Sequence, residues 1–91
     1  MSTEVRGMAA KPTAGEIFGN RIRELRQKRR LSQAQMAERC GVPQARMSEI
    51  EKGASAPTLI TIIRLAVALD CKVSALMSVF DRADVATLLP K

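Results

Sequence analysis

The sequence contains no histidine, tryptophan or tyrosine, and only two cysteines and two phenylalanines among its 91 residues. Cys40 and Cys71 do not have a metal-binding spacing. With two cysteines and no histidine, a zinc site would also lack the four ligands it needs. Histidine is also the commonest general acid and base. No serine or cysteine lies beside a base, and no glycine-rich loop could cradle a phosphate. We therefore predict no enzyme activity, no bound metal and no cofactor.

Long hydrophobic runs are also missing. The N-terminus has no continuous apolar signal region, and Arg64 interrupts the longest apolar stretch well short of the roughly 18 residues that suggest a membrane span. Both cysteines are expected to be core thiols. These features predict a cytoplasmic protein with no membrane partner.

Acidic residues are in the minority: 9 Asp and Glu face 15 Lys and Arg, for a net charge of +6. Residues 15–53 hold nine basic and five acidic side chains, so most of the excess lies there. A concentrated positive charge favours a polyanionic partner such as double-stranded DNA.

Helix signals begin after a mixed, non-periodic segment, residues 1–12, which we interpret as a flexible tail. A basic arm that contacts DNA through Arg6 and Lys11 is an alternative. Two capping-box spacings follow, in which a hydroxyl and a side chain three residues later satisfy backbone amides at a helix start. They predict helix 1 up to about Arg29 and a short helix 2 that ends at Gly41. The pairs are Thr13 with Glu16, and Ser32 with Gln35.

Three more helices are predicted. Proline is tolerated in a first helical turn, so helix 3 is expected from about Pro43 to Lys52, with Gly53 as its stop. Thr58 is a suitable N-cap for helix 4, which reaches Leu69, and a last helix opens at Ser74 and covers about 75–80. The fold class is therefore all-α, with one five-helix domain over 13–80. The segment 81–91 is either a final helix or a dimerisation arm exchanged between subunits.

Helices 2 and 3 have the helix-turn-helix arrangement, although short helix pairs joined by glycine also build ordinary bundles. The wider pattern resembles the phage repressor/Cro-type (XRE-like) DNA-binding family from about residue 18 to 79. Its most specific parts are Leu-Ser-Gln at 31–33, Gly-Val at 41–42 and Ile-Glu-x-Gly at 50–53. Further matches lie at 22–30, 36–38, 40, 47–49, 57–59 and 65–66.

The resemblance implies a repressor-like five-helix fold, dimerisation and binding to short palindromic operators. It implies that Gln33 contacts a phosphate and braces Gln44, and that Glu51 ties helix 3 to the scaffold, with Arg26 as its candidate partner. The implied base contacts are Gln44, Ala45, Ser48 and Glu49. The implied backbone contact is Gln33, and Arg46 can reach a phosphate or a base. We further predict backbone contacts for Arg23 and Lys52.

Each reading residue has an alternative role. Gln44 also fits a solvated first-turn residue, Ser48 a bond to its own helix, and Glu49 an ion pair with Lys52. Two positions depart from the family pattern. Pro43 replaces a side-chain cap, and Asp70 stands where a glycine usually ends helix 4, which predicts a left-handed backbone there.

Helix 4 carries more apolar residues than one buried face needs. The predicted inner face is Leu59, Ile62, Leu65, Ala66 and Leu69. A second stripe then remains, and a helix that is apolar nearly all round normally has partners on both sides. We therefore expect a homodimer whose interface contains Ile60, Ile63, Val67 and Phe80.

The leading functional hypothesis is a sequence-specific transcriptional regulator, acting as a repressor. A DNA-binding antitoxin, with a toxin as protein partner, and a restriction-modification controller are alternatives of similar size. An alternative of another class is a protein-interaction module that keeps the fold. The basic first helix and the polar start of helix 3 favour DNA.

Overall fold

The computed structural model describes residues 11–81 and 84–90, and contains five α-helices and no strand within those ranges. Two short 3-10 helices, Ser78–Phe80 and Val85–Leu88, follow the last α-helix. The prediction of an all-α fold is therefore confirmed, whereas the predicted tail lies almost wholly outside the described residues. The α-helices are α1 Ala14–Lys28, α2 Gln33–Cys40, α3 Gln44–Lys52, α4 Leu59–Ala68 and α5 Val73–Met77.

Both predicted capping boxes are present at the starts of α1 and α2. The Glu16 amide donates to Thr13 Oγ1 at 3.1 Å, and the Thr13 amide donates to Glu16 Oε1 at 2.8 Å. Ser32 and Gln35 repeat the arrangement at 3.0 and 2.8 Å. Each box satisfies two backbone donors that a helix start leaves unpaired.

A left-handed residue follows each of the first four helices within two residues. Gly41 and Gly53 have φ values of 71° and 78° after α2 and α3, and Asp70 has the predicted positive φ, 51°, after α4. Arg30 has a φ of 57° after α1, which the sequence analysis did not predict. The tight turns that these residues make keep all connections short.

The predicted start of the last helix is wrong. α5 begins at Val73 with Lys72 as its N-cap, so Ser74 lies inside the helix. The Ala75 amide donates to the Lys72 carbonyl at 2.9 Å, which closes the first turn without a side-chain cap. The α-helix then tightens into the 3-10 helix at Ser78, so the predicted helix over 75–80 is two elements.

The core lies between α1, α2, α3 and α4, and α5 closes it against α1 and α4. Leu59 was expected on the inner face of α4 but is 69% exposed. It lies one turn before the exposed Ile63, on the side of α4 that faces away from the core. Cys40 is buried, and Cys71 is half-buried against the core. The largest apolar side chains that are fully buried are Ile22, Met36, Met47, Ile50, Leu65, Leu69 and Leu76.

No helix in the described part of the chain combines the length and the apolarity needed to cross a membrane.

Candidate nucleic-acid interface

The start of α3 presents polar and small side chains to solvent. Gln44, Ala45 and Glu49 are exposed, and Ser48 is half-buried. Ser48 and Glu49 follow Ala45 by three and four residues, and Ser48 follows Gln44 by four, so the four residues lie on neighbouring parts of one helix face. Glu49 forms no ion pair with Lys52 within 4 Å. The four predicted base-reading residues therefore form one accessible surface.

The opposite side of α3 is anchored in the protein. Met47, Ile50 and Glu51 are buried, and α3 begins at Gln44 directly after Pro43. Pro43 is the N-cap and makes no side-chain cap hydrogen bond, as its sequence predicted. Because the buried side sets the rotation of the helix, the exposed residues face outward in a fixed orientation.

Glu51 joins three helices through its carboxylate. Arg26 on α1 donates to it from Nε at 2.6 Å and from Nη2 at 3.0 Å, which is the predicted pair. Gln33 Nε2 on α2 donates to Glu51 Oε1 at 3.2 Å, and Arg23 Nε lies 3.7 Å from the same oxygen. The carboxylate is thus fully paired, as a buried charge requires.

Gln33 is half-buried at the start of α2 and bonds Glu51, a contact that the sequence analysis did not predict. An amide NH₂ has two donors, so one N–H of Gln33 is available for a phosphate. The backbone amides at the start of a helix favour an anion at the same place. The phosphate contact that the resemblance implied for Gln33 stays a prediction, compatible with its bond to Glu51.

A basic cleft lies beside the Glu51 cluster, between the start of α1 and the end of α3. It brings Arg23 and Lys52, both predicted backbone contacts, together with Lys11, which belonged to the alternative of a basic DNA-contacting arm, and with Asn20, which was not predicted as a site residue. The only sequence signal for Asn20 is its i, i+3 spacing with Arg23 on α1. The cleft is lined by Lys11, Pro12, Glu16, Asn20, Arg23, Glu51 and Lys52.

A second surface lies on α4, away from α3. Ile60, Ile63 and Val67 are 59%, 42% and 74% exposed, so they form the predicted apolar stripe on the outer face of α4. A depression at the end of α2 adjoins Ile63 and Val67. Phe80, the fourth predicted interface residue, does not belong to this stripe. It is half-buried and packs against the core beside Met77.

Comparisons with known proteins agree with this arrangement. A family profile described as helix-turn-helix matches residues 22–76, which include α2, α3 and the side chains that meet at Glu51. The part of the basic cleft formed by residues 11–20 lies before this match. The chain belongs to the Cro/C1-type helix-turn-helix family. In helix-turn-helix proteins the second helix of the motif lies in the major groove, and here that helix is α3.

Among solved structures, the chain is similar to the restriction-modification controller protein C.AhdI from Aeromonas hydrophila. The two share 35% sequence identity with a TM-score of 0.67, over 68% of this chain and 94% of that one. No curated protein matches the chain. The family and the structural match make this helix-turn-helix protein a DNA-binding transcriptional regulator.

Proposed function

We propose that this helix-turn-helix protein binds a near-palindromic operator as a dimer and represses transcription in the cytoplasm. The observation that carries the proposal is the accessible polar start of α3 opposite a fully anchored face. A recognition helix must expose its reading side chains and hold them in one orientation. The first two turns of α3 meet both requirements.

The chemistry of the exposed side chains sets what each can read. Gln44 can form a bidentate pair with adenine, Ala45 can contact a thymine methyl group, and Glu49 can accept a hydrogen bond from a cytosine amine. Ser48 can bond to either class of base edge. We assign Gln33, Arg46, Arg23 and Lys52 to the phosphates, which orient the protein on the duplex without reading sequence.

The apolar stripe on α4 supports dimerisation. Covering Ile60, Ile63 and Val67 would gain roughly 1.5 to 3 kcal/mol for each side chain fully removed from water. A second copy covers the same stripe on both partners, as two-fold symmetry requires. Such a dimer would present two α3 helices about 34 to 36 Å apart, one turn of DNA, so the operator would be palindromic.

A restriction-modification controller is a second candidate, favoured by the 35% identity with C.AhdI. It would use the same DNA surface and the same dimer. The two candidates are distinguished by the location of the operators, because those of a controller would adjoin the genes of a restriction-modification system.

The test is selection of bound sites from a pool of random duplexes. We expect a palindrome whose half-sites lie one helical turn apart, because each α3 reads one half-site. A parallel selection with the Gln44→Ala, Ser48→Ala variant should lose that sequence while retaining DNA binding. Failure of the wild-type protein to enrich any sequence would contradict the proposal and would favour a protein-interaction module.

A further inference from the structure

The basic cleft contains an arginine that is held in place but keeps free donors. Arg23 Nη2 donates to the Glu51 carbonyl at 3.2 Å, Nη1 lies 3.5 Å from Asn20 Oδ1, and Nε faces Glu51 Oε1. A guanidinium has five N–H groups. Three contacts therefore leave two N–H groups for a ligand, and the side chain needs little further ordering to bind one.

Asn20 supplies a second donor group to the same cleft. Its Oδ1 accepts from Arg23, so its amide NH₂ is the part that can bind a ligand. Lys11 precedes α1, and Lys52 is the last residue of α3. Four donor side chains from three chain segments thus surround one cleft of about 470 Å³.

The charges around the cleft favour an anion. Its two carboxylates are already engaged, since Glu51 is paired with Arg26 and Glu16 Oε1 accepts the Thr13 amide in the capping box. The cations of Lys11 and Lys52 have no such partner within 4 Å among the described residues. A phosphate offers several acceptor oxygens and a negative charge, which match these donors.

The position of the cleft identifies the source of that phosphate. Gln33 Nε2 and Arg23 Nε approach the same oxygen, Glu51 Oε1, at 3.2 and 3.7 Å, so the two side chains are neighbours. A DNA strand bound at Gln33 would therefore lie beside the cleft. We propose that Lys11, Asn20, Arg23 and Lys52 bind one DNA backbone phosphate on the same strand as the phosphate at Gln33. This inference rests on the proposed function.

The first test measures how the affinity of the full chain for DNA depends on salt. The Lys11→Gln, Lys52→Gln variant should show a slope of log K against log salt that is shallower by up to about 1.8 for the dimer, since each of the two subunits loses at most one phosphate contact worth about 0.9. Its affinities for the selected operator and for random duplex should fall by the same factor. Lys72→Gln, an exposed lysine outside the cleft, should retain the wild-type slope.

The outcomes separate this proposal from the proposed function. A wild-type protein that binds no DNA would overturn the proposed function and this inference with it. A wild-type protein that binds DNA, with a double-lysine variant of unchanged slope, would overturn the cleft assignment and the phosphate contact of Lys52, and would leave operator binding through α3 intact. Both lysines are exposed, so thermal unfolding of the variant should match that of the wild type and exclude misfolding.

The second test locates the phosphate. Neutral methylphosphonate groups are placed one at a time along the operator. One position in each half-site should weaken binding of the wild-type protein more than it weakens binding of the double-lysine variant, which keeps only Arg23 and Asn20 at that phosphate. Equal effects on both proteins at every position would contradict the proposal, as would saturation of the cleft by inorganic phosphate at concentrations that leave DNA binding intact.

Discussion

Glu51 shows what single residues contribute to this site. Its carboxylate is buried, yet all its partners come from other helices: Arg26 and Arg23 from α1 and Gln33 from α2. The Arg26 pair could be predicted, because the family resemblance pointed to an arginine. The Gln33 bond could not, since it depends on how α2 lies against α3, which no local sequence pattern specifies.

Replacing Glu51 with alanine should lower the free energy of unfolding by about 3 to 5 kcal/mol, the usual cost of removing one partner of a buried ion pair. The reason is that Arg26, whose side chain is only 13% exposed, would lose its counter-charge. Urea denaturation measures the change. Glu24→Ala is the matched control, because Glu24 pairs with Arg21 at 3.6 Å on the surface. This replacement should lower the free energy of unfolding by about 1 kcal/mol or less. Similar losses of unfolding free energy for Glu51→Ala and Glu24→Ala would contradict the stabilising role of the buried Glu51–Arg26 pair.

Cys40 should respond to pH through its burial. Desolvation raises the pKa of the Cys40 thiol to about 11. In the unfolded chain the thiol ionises at lower pH, so the unfolded state loses its proton first. The stability that the buried thiol contributes is therefore complete below the ordinary thiol pKa and is lost as pH rises towards 11.

We expect the free energy of unfolding of the wild-type protein to fall more steeply above about pH 8.5, the usual thiol pKa, than that of Cys40→Ala. Denaturation curves at several pH values measure the free energy of unfolding of both proteins. Subtracting the values of the variant from those of the wild type removes the contribution of lysines, which both proteins share. Parallel pH profiles for the two proteins would show that Cys40 is not the group responsible.

At the scale of elements, the helix starts that depend on local signals were the most predictable. Thr13 and Ser32 make their capping boxes because each bond spans three residues. The exposure of the Leu59 side chain and the start of α5 at Val73 were not predictable in the same way. They depend on which neighbouring helix covers a side chain or closes a turn, and periodicity alone leaves the edge of a helix face ambiguous.

Gly19 allows α1 to approach the end of α3. A Cβ at this position would collide with the carbonyl oxygens of Ile50 and Glu51. Gly19→Ala should therefore destabilise the protein by about 1 to 3 kcal/mol, the range for overpacking, although alanine is the better helix former. Gln27→Ala, an exposed change on the same helix, is the control for helix propensity. Thermal unfolding of the two variants checks this, and a Gly19→Ala protein as stable as the control would contradict the close packing.

At the scale of the whole molecule, the α4 stripe was predictable because it depends on helical periodicity and on counting apolar residues. The role of segment 81–91 was not. Its described part contains the 3-10 helix Val85–Leu88, and Val85 and Leu89 are exposed. A mixed segment of this kind has no period that would distinguish a helix from an arm.

We expect the wild-type protein to be a dimer and the Ile60→Glu, Val67→Glu variant to be a monomer, because two charges on each stripe would face each other across the two-fold axis. Sedimentation equilibrium measures the mass. Gln27→Glu adds a charge to α1 outside the stripe and should leave the mass unchanged. An unaltered mass for the double variant would remove α4 from the interface.

The claim that α3 reads DNA sequence is tested most directly by the ratio of operator affinity to random-duplex affinity. For Gln44→Ala, Ser48→Ala we expect this ratio to fall by at least tenfold, since each good base contact is worth about 1 to 3 kcal/mol of discrimination. The affinity for random DNA should stay close to that of the wild type, because the phosphate contacts remain. An unchanged ratio would contradict the assignment of α3 as the reading helix.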